Sequence, residues 1–415
     1  MPSNHAAKWL LTFLLIACAI WLGRGGRFYV EALASIFFAC SLASVFIIHF
    51  RIAPSWQDAL LVLCGVLLFA AIDFQVLHYK PVFAAWLSFA GLSSLVTMGA
   101  RTIWATGAGR KMMSLAFFPS LLLIGSEYFA STFLEWTAAA HPKVLDLYLY
   151  SFDASLGLQL PFLVGQRFAM WPWLKWLGAL FYIGLPIPIA LVYAGRAVRL
   201  GERALPSFVA FLGTGPVGVL FYNLFPALGP VHLFLQGFPW HPLATGSVSR
   251  LFVEPVALPG APNAIPSLHM AWVLLAWWYS RGLSLLERSI TFAFALFTIM
   301  ATLGTGEHYF VDLVVAVPFA VLMESLCSFS IPWEHKVRLT AATGGLLLVL
   351  SWLAALRYAT HFFWTSPFVP WVICLITVLF SLALERKLCS QVTRATEAPI
   401  LVTPLVSELN PANLN

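Results

Sequence analysis

The segment from residue 263 to residue 312 opens with Asn263-Ala-Ile-Pro-Ser-Leu-His269 and closes with Gly306-Glu-His-Tyr-Phe-Val-Asp312. Two apolar runs lie between these phrases, separated by a short basic turn at 281–288. His269 and His308 are 39 residues apart. This length allows one helix to cross a bilayer and a second helix to return. The pattern therefore predicts that the two histidines meet at one face of a membrane.

The polar residues of the two phrases have the spacing of a site on helix ends. His308 and Asp312 are four residues apart, so on a helix the carboxylate can accept from one imidazole nitrogen while the other faces outward. Ser267 follows Pro266 at a predicted helix start, where free backbone amides can hold a phosphate oxygen. His269 adds an acid beside this anion site. The combination predicts a phosphoryl-transfer site.

Two other interpretations of these residues remain open at this point. The histidines can be incidental residues at two helix caps, or they can bind zinc or iron together with Asp312. Ionisable residues near a membrane are costly and are usually functional, which argues against the first interpretation. Ser267 and the proline turn would have no use in a metal site, and no HExxH pair or cysteine cluster accompanies them. We therefore predict no metal and no cofactor.

The composition indicates an integral membrane protein. The chain is 60% hydrophobic and 10% charged, with 35 Phe and 17 Trp, which lies outside the range of soluble proteins. We predict an all-α, polytopic bundle of about 12 transmembrane helices. The predicted spans lie near 9–23, 29–49, 57–77, 81–100, 113–134, 174–195, 205–226, 267–280, 289–305, 309–328, 338–356 and 365–385.

The distribution of basic residues predicts the orientation of the bundle. With the amino terminus inside, 15 of the 23 Lys and Arg residues fall on the cytoplasmic side. The positive-inside rule then puts both histidines on the extracytoplasmic face, periplasmic or luminal, and in the plasma (inner) membrane if the protein is bacterial. The net charge of +6 belongs mostly to loops that face anionic lipid, so no nucleic-acid partner is expected.

Two long segments between the spans are predicted to lie outside the bundle. The segment 135–173 is too polar to cross a membrane and is rich in aromatic residues, which favours an interfacial helix and loop. The segment 227–262 is rich in Pro and Gly and precedes the histidine-bearing turn. We predict that it caps the site and that His232 and Arg250 from this loop contact the substrate.

The sequence predicts neither a cleaved lipoprotein signal nor disulfide cross-links. Residues 15–18 loosely resemble a lipoprotein cleavage box, but only Lys8 precedes the apolar run and another span follows at once. The six cysteines show no paired spacing, so no disulfide framework is predicted.

The motifs resemble the phosphatidic acid phosphatase type 2 superfamily, in particular its branch that contains inositol phosphorylceramide synthase. Pro266-Ser-Leu-His269 is similar to the second motif of the family, and the phrase that ends at Asp312 is similar to the third. The segment 222–230 resembles the proline-rich end of the preceding helix in this branch. The resemblance covers roughly 113–328 and implies a six-helix core, formed here by the fifth to tenth spans.

The resemblance also implies a division of the chain. Residues 1–112 would be accessory N-terminal transmembrane helices, and 113–328 the catalytic core. Residues 329–390 would be C-terminal transmembrane helices, and 391–415 a cytoplasmic tail.

The resemblance further implies a mechanism without metal. His308 would attack phosphorus to give a phosphohistidine, and Asp312 would orient it. His269 would protonate the departing oxygen and then activate the acceptor hydroxyl. Ser267, Pro266 and Tyr309 would lie at the bound substrate.

Two departures from the family pattern bear on the substrate. The phosphatases carry a Lys-x6-Arg-Pro motif and an arginine six residues before the nucleophile, whereas this chain lacks the former and has Thr302 at the latter position. A phosphomonoester carries close to two negative charges and a phosphodiester one, so the loss of cations disfavours a monoester more.

We therefore predict a phosphotransferase that moves a headgroup, for example phosphoinositol, from a membrane lipid to a hydroxyl acceptor such as ceramide. The first alternative is a lipid phosphate phosphatase or polyprenyl pyrophosphate phosphatase of the same superfamily. The second is a non-catalytic membrane transporter or scaffold. The four polar motif residues argue against the second alternative, and the sequence leaves the oligomeric state undetermined.

Overall fold

The chain is helical in the part that the structure describes. A computed structural model describes residues 7–14, 36–75, 83–250 and 252–397. Within these ranges no residue belongs to a strand, apart from one isolated antiparallel bridge between Val144 and Val256. The all-α prediction is confirmed for these residues.

The helices follow one another with short connections. Residues 7–14 form a short helical segment. The helices before the histidine motifs are α1 Ile36–Ile52, α2 Trp56–Gln75, α3 Phe83–Trp104, α4 Gly107–Ala140, α5 Asp146–Ser155, α6 Leu160–Met170, α7 Pro172–Ile183, α8 Pro186–Leu200, α9 Leu205–Leu224, α10 Pro230–Phe234 and α11 Thr245–Val248. The helices that carry and follow the motifs are α12 Leu268–Tyr279, α13 Leu285–Gly304, α14 Phe310–Leu326, α15 Lys336–Tyr358 and α16 Phe368–Glu397. Three short 3₁₀ segments lie at Gly201–Ala204, Leu235–Gly237 and Thr360–Trp364.

Several of these helices are long and apolar enough to cross a bilayer. In the described ranges, five stretches meet this condition: Phe83–Trp104, Pro186–Leu224, Leu285–Gly304, Lys336–Tyr358 and Phe368–Ala395. Shorter apolar helices cover Ile36–Ile52 and Trp56–Ile72. These helices are those of an integral membrane protein. The count of twelve spans stays a prediction, because 15–35 lies outside the described residues and α12 has only 12 residues.

The span predicted at 174–195 consists of two helices. Helix α7 ends at Ile183 and α8 begins at Pro186, with Gly184 and Leu185 in the turn between them. Proline has no backbone N–H, so it can begin a helix but not continue one without a lost hydrogen bond. The break brings Tyr182 against the first turn of α12.

Serine residues begin the two helices of the hairpin between the motifs. The Ser267 Oγ accepts the amide of Met270 at 3.4 Å at the start of α12. At the start of α13, the amide of Glu287 donates to the Ser284 Oγ at 3.3 Å and the Ser284 amide donates to Glu287 at 2.9 Å. This reciprocal pair is the capping box that the S-x-x-E spacing indicates.

Helix α5 differs from the interfacial helix predicted for 135–173. Eight of its ten residues are buried, from Asp146 to Ser155, and it contacts α14 and α15. Its two aspartates can be buried because each accepts hydrogen bonds from backbone amides. Exposed tryptophans lie outside α5: Trp136 precedes it, and Trp171, Trp173 and Trp176 lie around the start of α7.

The largest hydrophobic cluster joins the motif helices to the C-terminal helices. It contains residues of α5, α8, α9, α12, α14, α15 and α16. Helix α1 packs against α8 in a second cluster. The predicted domain limits stay predictions, and α16 continues as helix past the limit predicted at 390, to Glu397.

Ion pairs gather the basic segments at the end of the bundle opposite the histidines. Arg51 contacts Glu287 at 2.8 Å, and Lys111 contacts Glu202 at 3.0 Å. Arg281 forms a bidentate pair with Glu385. Glu287 lies in the first turn of α13 and His308 follows its last turn, so about 30 Å of helix separates the two ends.

Candidate active site

His308 lies in the turn before α14 and is almost fully buried. Its Nδ1 is 2.9 Å from the Ala264 carbonyl oxygen and 3.4 Å from the Oδ2 of Asp312. A carbonyl can only accept a hydrogen bond, so Nδ1 carries the proton. The lone pair is therefore on Nε2, which lies 3.3 Å from the Ser267 Oγ.

Asp312 supports the same imidazole from the first turn of α14. Its Oδ2 accepts the Tyr309 amide at 2.8 Å, and the whole carboxylate is buried. The hydrogen bond expected from the His308 Nδ1 goes to Ala264 instead, while Asp312 stays within ion-pair distance of the same nitrogen. A carboxylate at this distance can offset positive charge that develops on the imidazole during a reaction.

His269 faces His308 from the first turn of α12. The two ring centroids are 6.4 Å apart. The His269 ring is stacked on Tyr182 at 3.8 Å with an interplanar angle of 16°, which fixes the plane of the imidazole. Two imidazoles at this separation are near enough for both to contact one phosphate group bound beside them.

Ser267 and Pro266 connect the two motifs. The Ser267 amide donates to the Asp312 carbonyl at 3.2 Å, and its hydroxyl lies between the Met270 amide and His308. Two of the first amides of α12 are therefore already engaged. Fewer backbone amides are therefore free to bind a phosphate oxygen at this helix start than the sequence predicted. The Ser267 hydroxyl is a further group there that can donate a hydrogen bond to a phosphate.

Two buried aspartates of α5 hold the start of α14, and the sequence analysis missed this role. The Asp153 carboxylate accepts the amides of Phe310 at 2.7 Å and Val311 at 3.1 Å. Asp146 accepts the Gly229 amide at 2.8 Å and the Tyr309 hydroxyl at 3.1 Å. The two aspartates are seven residues apart and so share one face of a helix. This spacing, in a segment too polar to cross a membrane, was the signal in the sequence.

The other residues predicted to contact the substrate, Tyr309, His232 and Arg250, do not all lie beside the two histidines. Tyr309 is buried and its hydroxyl is bonded to Asp146, behind the histidines. His232 is half-buried and pairs with Glu307 at 3.8 Å, directly beside His308. Arg250 is exposed, and its Nε donates to the Gly246 carbonyl on its own turn at 3.1 Å. Of the two predicted loop contacts, only His232 lies at the site.

Thr302 stands at the position where the phosphatases that the motifs resemble have an arginine, and its side chain is buried. The Thr302 hydroxyl donates to the Ile299 carbonyl at 2.9 Å, and the Thr302 carbonyl accepts the His308 amide at 3.2 Å. Thr302 therefore supports the turn and offers no charge to an anion.

An apolar cavity of about 870 Å³ begins at His269. Its polar end is formed by His269, Tyr182 and Asn263. The other walls are almost entirely apolar and come mainly from α4, α8 and α9, with one residue of α1. Neither Glu307 nor His232 belongs to the described residues that line it. The site thus has an apolar side at His269 and a polar side at Glu307.

The described residues contain no group of three or more His, Cys, Asp and Glu side chains arranged to hold a metal ion.

The family comparison agrees with this geometry. Residues 147–326 match the model of a family described as the PAP2 superfamily. The matched segment covers less than half of the chain but contains Asp153, Ser267, His269, His308 and Asp312. The match supports the superfamily that the motifs predicted, whose members are generally phosphatase-type enzymes. No curated protein and no solved structure matches the chain.

Replacing Asp153 with asparagine is expected to lower both stability and turnover. An amide retains one acceptor oxygen, so one amide at the start of α14 loses its partner, at a cost of about 1–3 kcal/mol. His308 lies two residues before Phe310, and a displacement of about 1 Å at a reacting group reduces rates up to roughly 100-fold. Thermal unfolding in detergent and initial rates measure both effects. The exposed Glu254→Gln is the matched control, and wild-type behaviour of Asp153→Asn would contradict the positioning role.

Proposed function

We propose that this protein is a membrane-embedded phosphotransferase that moves a phosphorylated headgroup from a lipid donor to a hydroxyl acceptor through a phosphohistidine at His308. The single observation that carries the proposal is the apolar cavity that opens at His269, the acid and base of the mechanism. The same superfamily match supports phosphotransfer in general.

The proposed reaction has two steps that share one intermediate. In the first, Nε2 of His308 attacks phosphorus, the bond from phosphorus to the lipid oxygen breaks, and protonated His269 gives its proton to that oxygen. In the second, neutral His269 removes a proton from the acceptor hydroxyl, whose oxygen attacks phosphorus, and the P–N bond breaks. Asp312 stabilises the positive imidazole of the intermediate, and Ser267 donates to a phosphate oxygen.

The apolar cavity favours a lipid alcohol over water at His269. The leaving oxygen and the entering oxygen both meet His269, so both belong to molecules that occupy the cavity in turn. An apolar chamber stabilises the hydrocarbon chains of a donor and then of an acceptor, and it disfavours ordered water. Successive use of one chamber predicts ping-pong kinetics with parallel double-reciprocal plots.

The charges of the site favour a phosphodiester donor. Asp312 and Glu307 are carboxylates close to His308, and Thr302 offers no cation in the family's arginine position. A phosphomonoester dianion would meet more repulsion here than a diester monoanion. A phospholipid with an esterified headgroup, such as phosphatidylinositol, satisfies this condition, and ceramide is a suitable acceptor alcohol.

Hydrolysis is the second candidate function, because the superfamily match alone favours it equally. In that case water would replace the acceptor alcohol at His269, with a lipid phosphate or polyprenyl pyrophosphate as substrate. The catalytic residues would be the same.

The proposed location of the site is the extracytoplasmic face of the membrane, as the basic loops favour. Support comes from the ion pairs of Arg51, Lys111 and Arg281, which gather the predicted cytoplasmic segments at the far end of the bundle.

A labelled-lipid assay distinguishes transfer from hydrolysis. Purified protein in mixed vesicles receives phosphatidylinositol, phosphatidylglycerol or phosphatidate with a labelled phosphorus. The acceptor is ceramide, a diacylglycerol whose acyl chains differ from those of the donor, or none. We expect label to appear in a new lipid only with a diester donor and an added alcohol. Rapid release of inorganic phosphate from phosphatidate as the main activity would contradict the proposal.

Filling the cavity is expected to raise the KM of a long-chain donor at least about tenfold, since the chain would lose its apolar contacts. Gly215 lines the cavity, and a Cβ at this position meets only Trp272, at 3.9 Å, so Gly215→Phe extends into open space. A short-chain donor with the same headgroup should be much less affected. Leu220→Phe, on the exposed face of the same helix, is the control. An equal change in the KM of both donors would contradict binding of the donor's acyl chain in the cavity.

A further inference from the structure

Glu307 brings a negative charge to a site that must bind an anion. Its carboxylate is 37% exposed and lies 3.8 Å from the His232 imidazole, which is 32% exposed. It is also within electrostatic reach of His308 and of the Tyr182 hydroxyl, which lies at the stacked His269. The pair is thus partly accessible and close to the candidate reacting groups.

The loop that carries His232 is fixed to the turn that carries Glu307. The Val231 amide donates to the Gly306 carbonyl at 2.9 Å. Gly229 has φ 148° and packs so closely on the backbone of Glu307 that a side chain would not fit there. Asp146 accepts the Gly229 amide and the Tyr309 hydroxyl, and so holds both segments. The pair is thus a preorganised feature of the site.

Each member of the pair stabilises the charge of the other. The nearby imidazole of His232 lowers the pKa of Glu307, and the same carboxylate raises the pKa of His232. Near neutral pH the carboxylate is therefore ionised, and the half-buried imidazole offsets its charge when it carries a proton. A second negative charge in the substrate would find no further cation here, whereas neutral hydroxyls would find both a hydrogen-bond acceptor and a donor.

Neither Glu307 nor His232 is among the described residues that line the apolar cavity. In the proposed reaction the lipid chain occupies the cavity beside His269, so the headgroup that stays on phosphorus must point the other way, toward Glu307 and His232.

We propose that Glu307 and His232 form the specificity determinant for the transferred headgroup, selecting an uncharged, hydroxyl-bearing headgroup and rejecting one that carries an additional negative charge. This inference rests on the proposed phosphodiester chemistry. Glu307 acts by like-charge repulsion and by accepting hydroxyl protons, and His232 limits the repulsion.

The test uses matched donors that differ in the charge of the headgroup. Phosphatidylglycerol is compared with the sulfate ester of its headgroup, which adds one negative charge. Phosphatidylinositol is compared with its 4-phosphate, which adds close to two, and all donors have the same acyl chains. The quantity measured is the ratio of kcat/KM for the uncharged over the charged headgroup. In the wild type we expect a ratio of at least about 10, which corresponds to about 1.4 kcal/mol.

Two neighbouring substitutions should change this ratio in opposite directions. Glu307→Gln removes the repulsion and should reduce the ratio to about 3 or less. His232→Gln leaves the carboxylate without its cation and should raise the ratio severalfold. Glu254→Gln, an exposed carboxylate of the same loop region, serves as the control. An unchanged ratio in both folded variants would overturn the inference, and so would changes of the same sign.

The ratio measured with the sulfate ester, whose charge is permanent, should also depend on pH. As pH rises through the raised pKa of His232, the imidazole loses its proton and Glu307 is no longer offset, so discrimination should increase. The groups that face this pair are Asp146, His308 and Tyr182. In His232→Gln the ratio should be constant over the same pH interval, and a persistent pH dependence there would assign the effect to another group.

The outcome is separable from that of the proposed function. If no donor transfers its headgroup to a lipid alcohol, the transferase proposal fails. The same ratio of kcat/KM can then be measured for hydrolysis of the same donors. It tests selection against charged headgroups by Glu307 and His232 independently of the transfer reaction.

Discussion

Replacing His308 with alanine is expected to reduce both headgroup transfer and any hydrolysis by at least about 1,000-fold. The Nε2 of this residue carries the lone pair that faces the site, because Nδ1 is engaged by the Ala264 carbonyl at 2.9 Å. Among the described side chains around Ser267, no second imidazole has this orientation. The measurement is turnover of a donor labelled in its phosphate.

Acid lability identifies the expected intermediate. Quenching the wild type with labelled donor in the absence of an acceptor should leave label on the protein in a bond that is stable to alkali and labile to acid, as for a phosphorus–nitrogen bond. His308→Ala should show none. His308→Asn retains an N–H donor for the Ala264 carbonyl, so it separates lost chemistry from lost folding. The exposed His361→Ala is the control, and substantial activity in His308→Ala would end the phosphohistidine mechanism.

Replacing His269 with glutamine is expected to slow transfer by about 10²- to 10⁴-fold. In the proposed mechanism, His269 protonates the leaving lipid oxygen and later activates the acceptor hydroxyl. Its ring is held by the stack on Tyr182 and lies 6.4 Å from His308, measured between ring centroids. The loss should therefore fall mainly on kcat, with the lipid still bound in the cavity.

A donor with a better leaving group separates the two roles of His269. A lipid analogue that releases p-nitrophenolate needs no proton at the departing oxygen, so His269→Gln should recover most of the burst of the first step. The second step still lacks its base, and labelled protein should accumulate. His241→Gln, which changes an exposed histidine of the segment 227–262, is the control. An equal loss of burst rate with both donors would contradict the role as general acid.

Much of the fold could be predicted from local sequence. Apolar runs of sufficient length predicted the helices, but the span predicted at 289–305 starts too late. Helix α13 begins at Leu285, and the S-x-x-E spacing of Ser284 and Glu287 was the overlooked signal. The break between α7 and α8 was missed, although Pro186 marks it, because the apolar run continues through it. A hydrophobic run indicates that a segment lies in a membrane, but it does not indicate where one helix ends and the next begins within that segment.

The site could be predicted in part. The motif residues Ser267, His269, His308 and Asp312 do lie together in the structure, as their spacing suggested. Arg250 does not join them, since its side chain is bonded to its own turn. An exposed arginine in a long loop has many alternative partners, and sequence proximity to a motif does not choose among them.

The sequence by itself determined the helical class of the protein, the helical hairpin and the candidate reacting groups, because these follow from composition and from spacings of a few residues. The tertiary structure decided which atom fixes the tautomer of His308, which aspartates hold α14 and where the apolar cavity lies. It also decided that Glu307, to which the sequence analysis assigned no role, lies beside His232. These contacts join residues up to 163 positions apart, as between Asp146 and Tyr309. They depend on how whole helices pack, which no local pattern specifies.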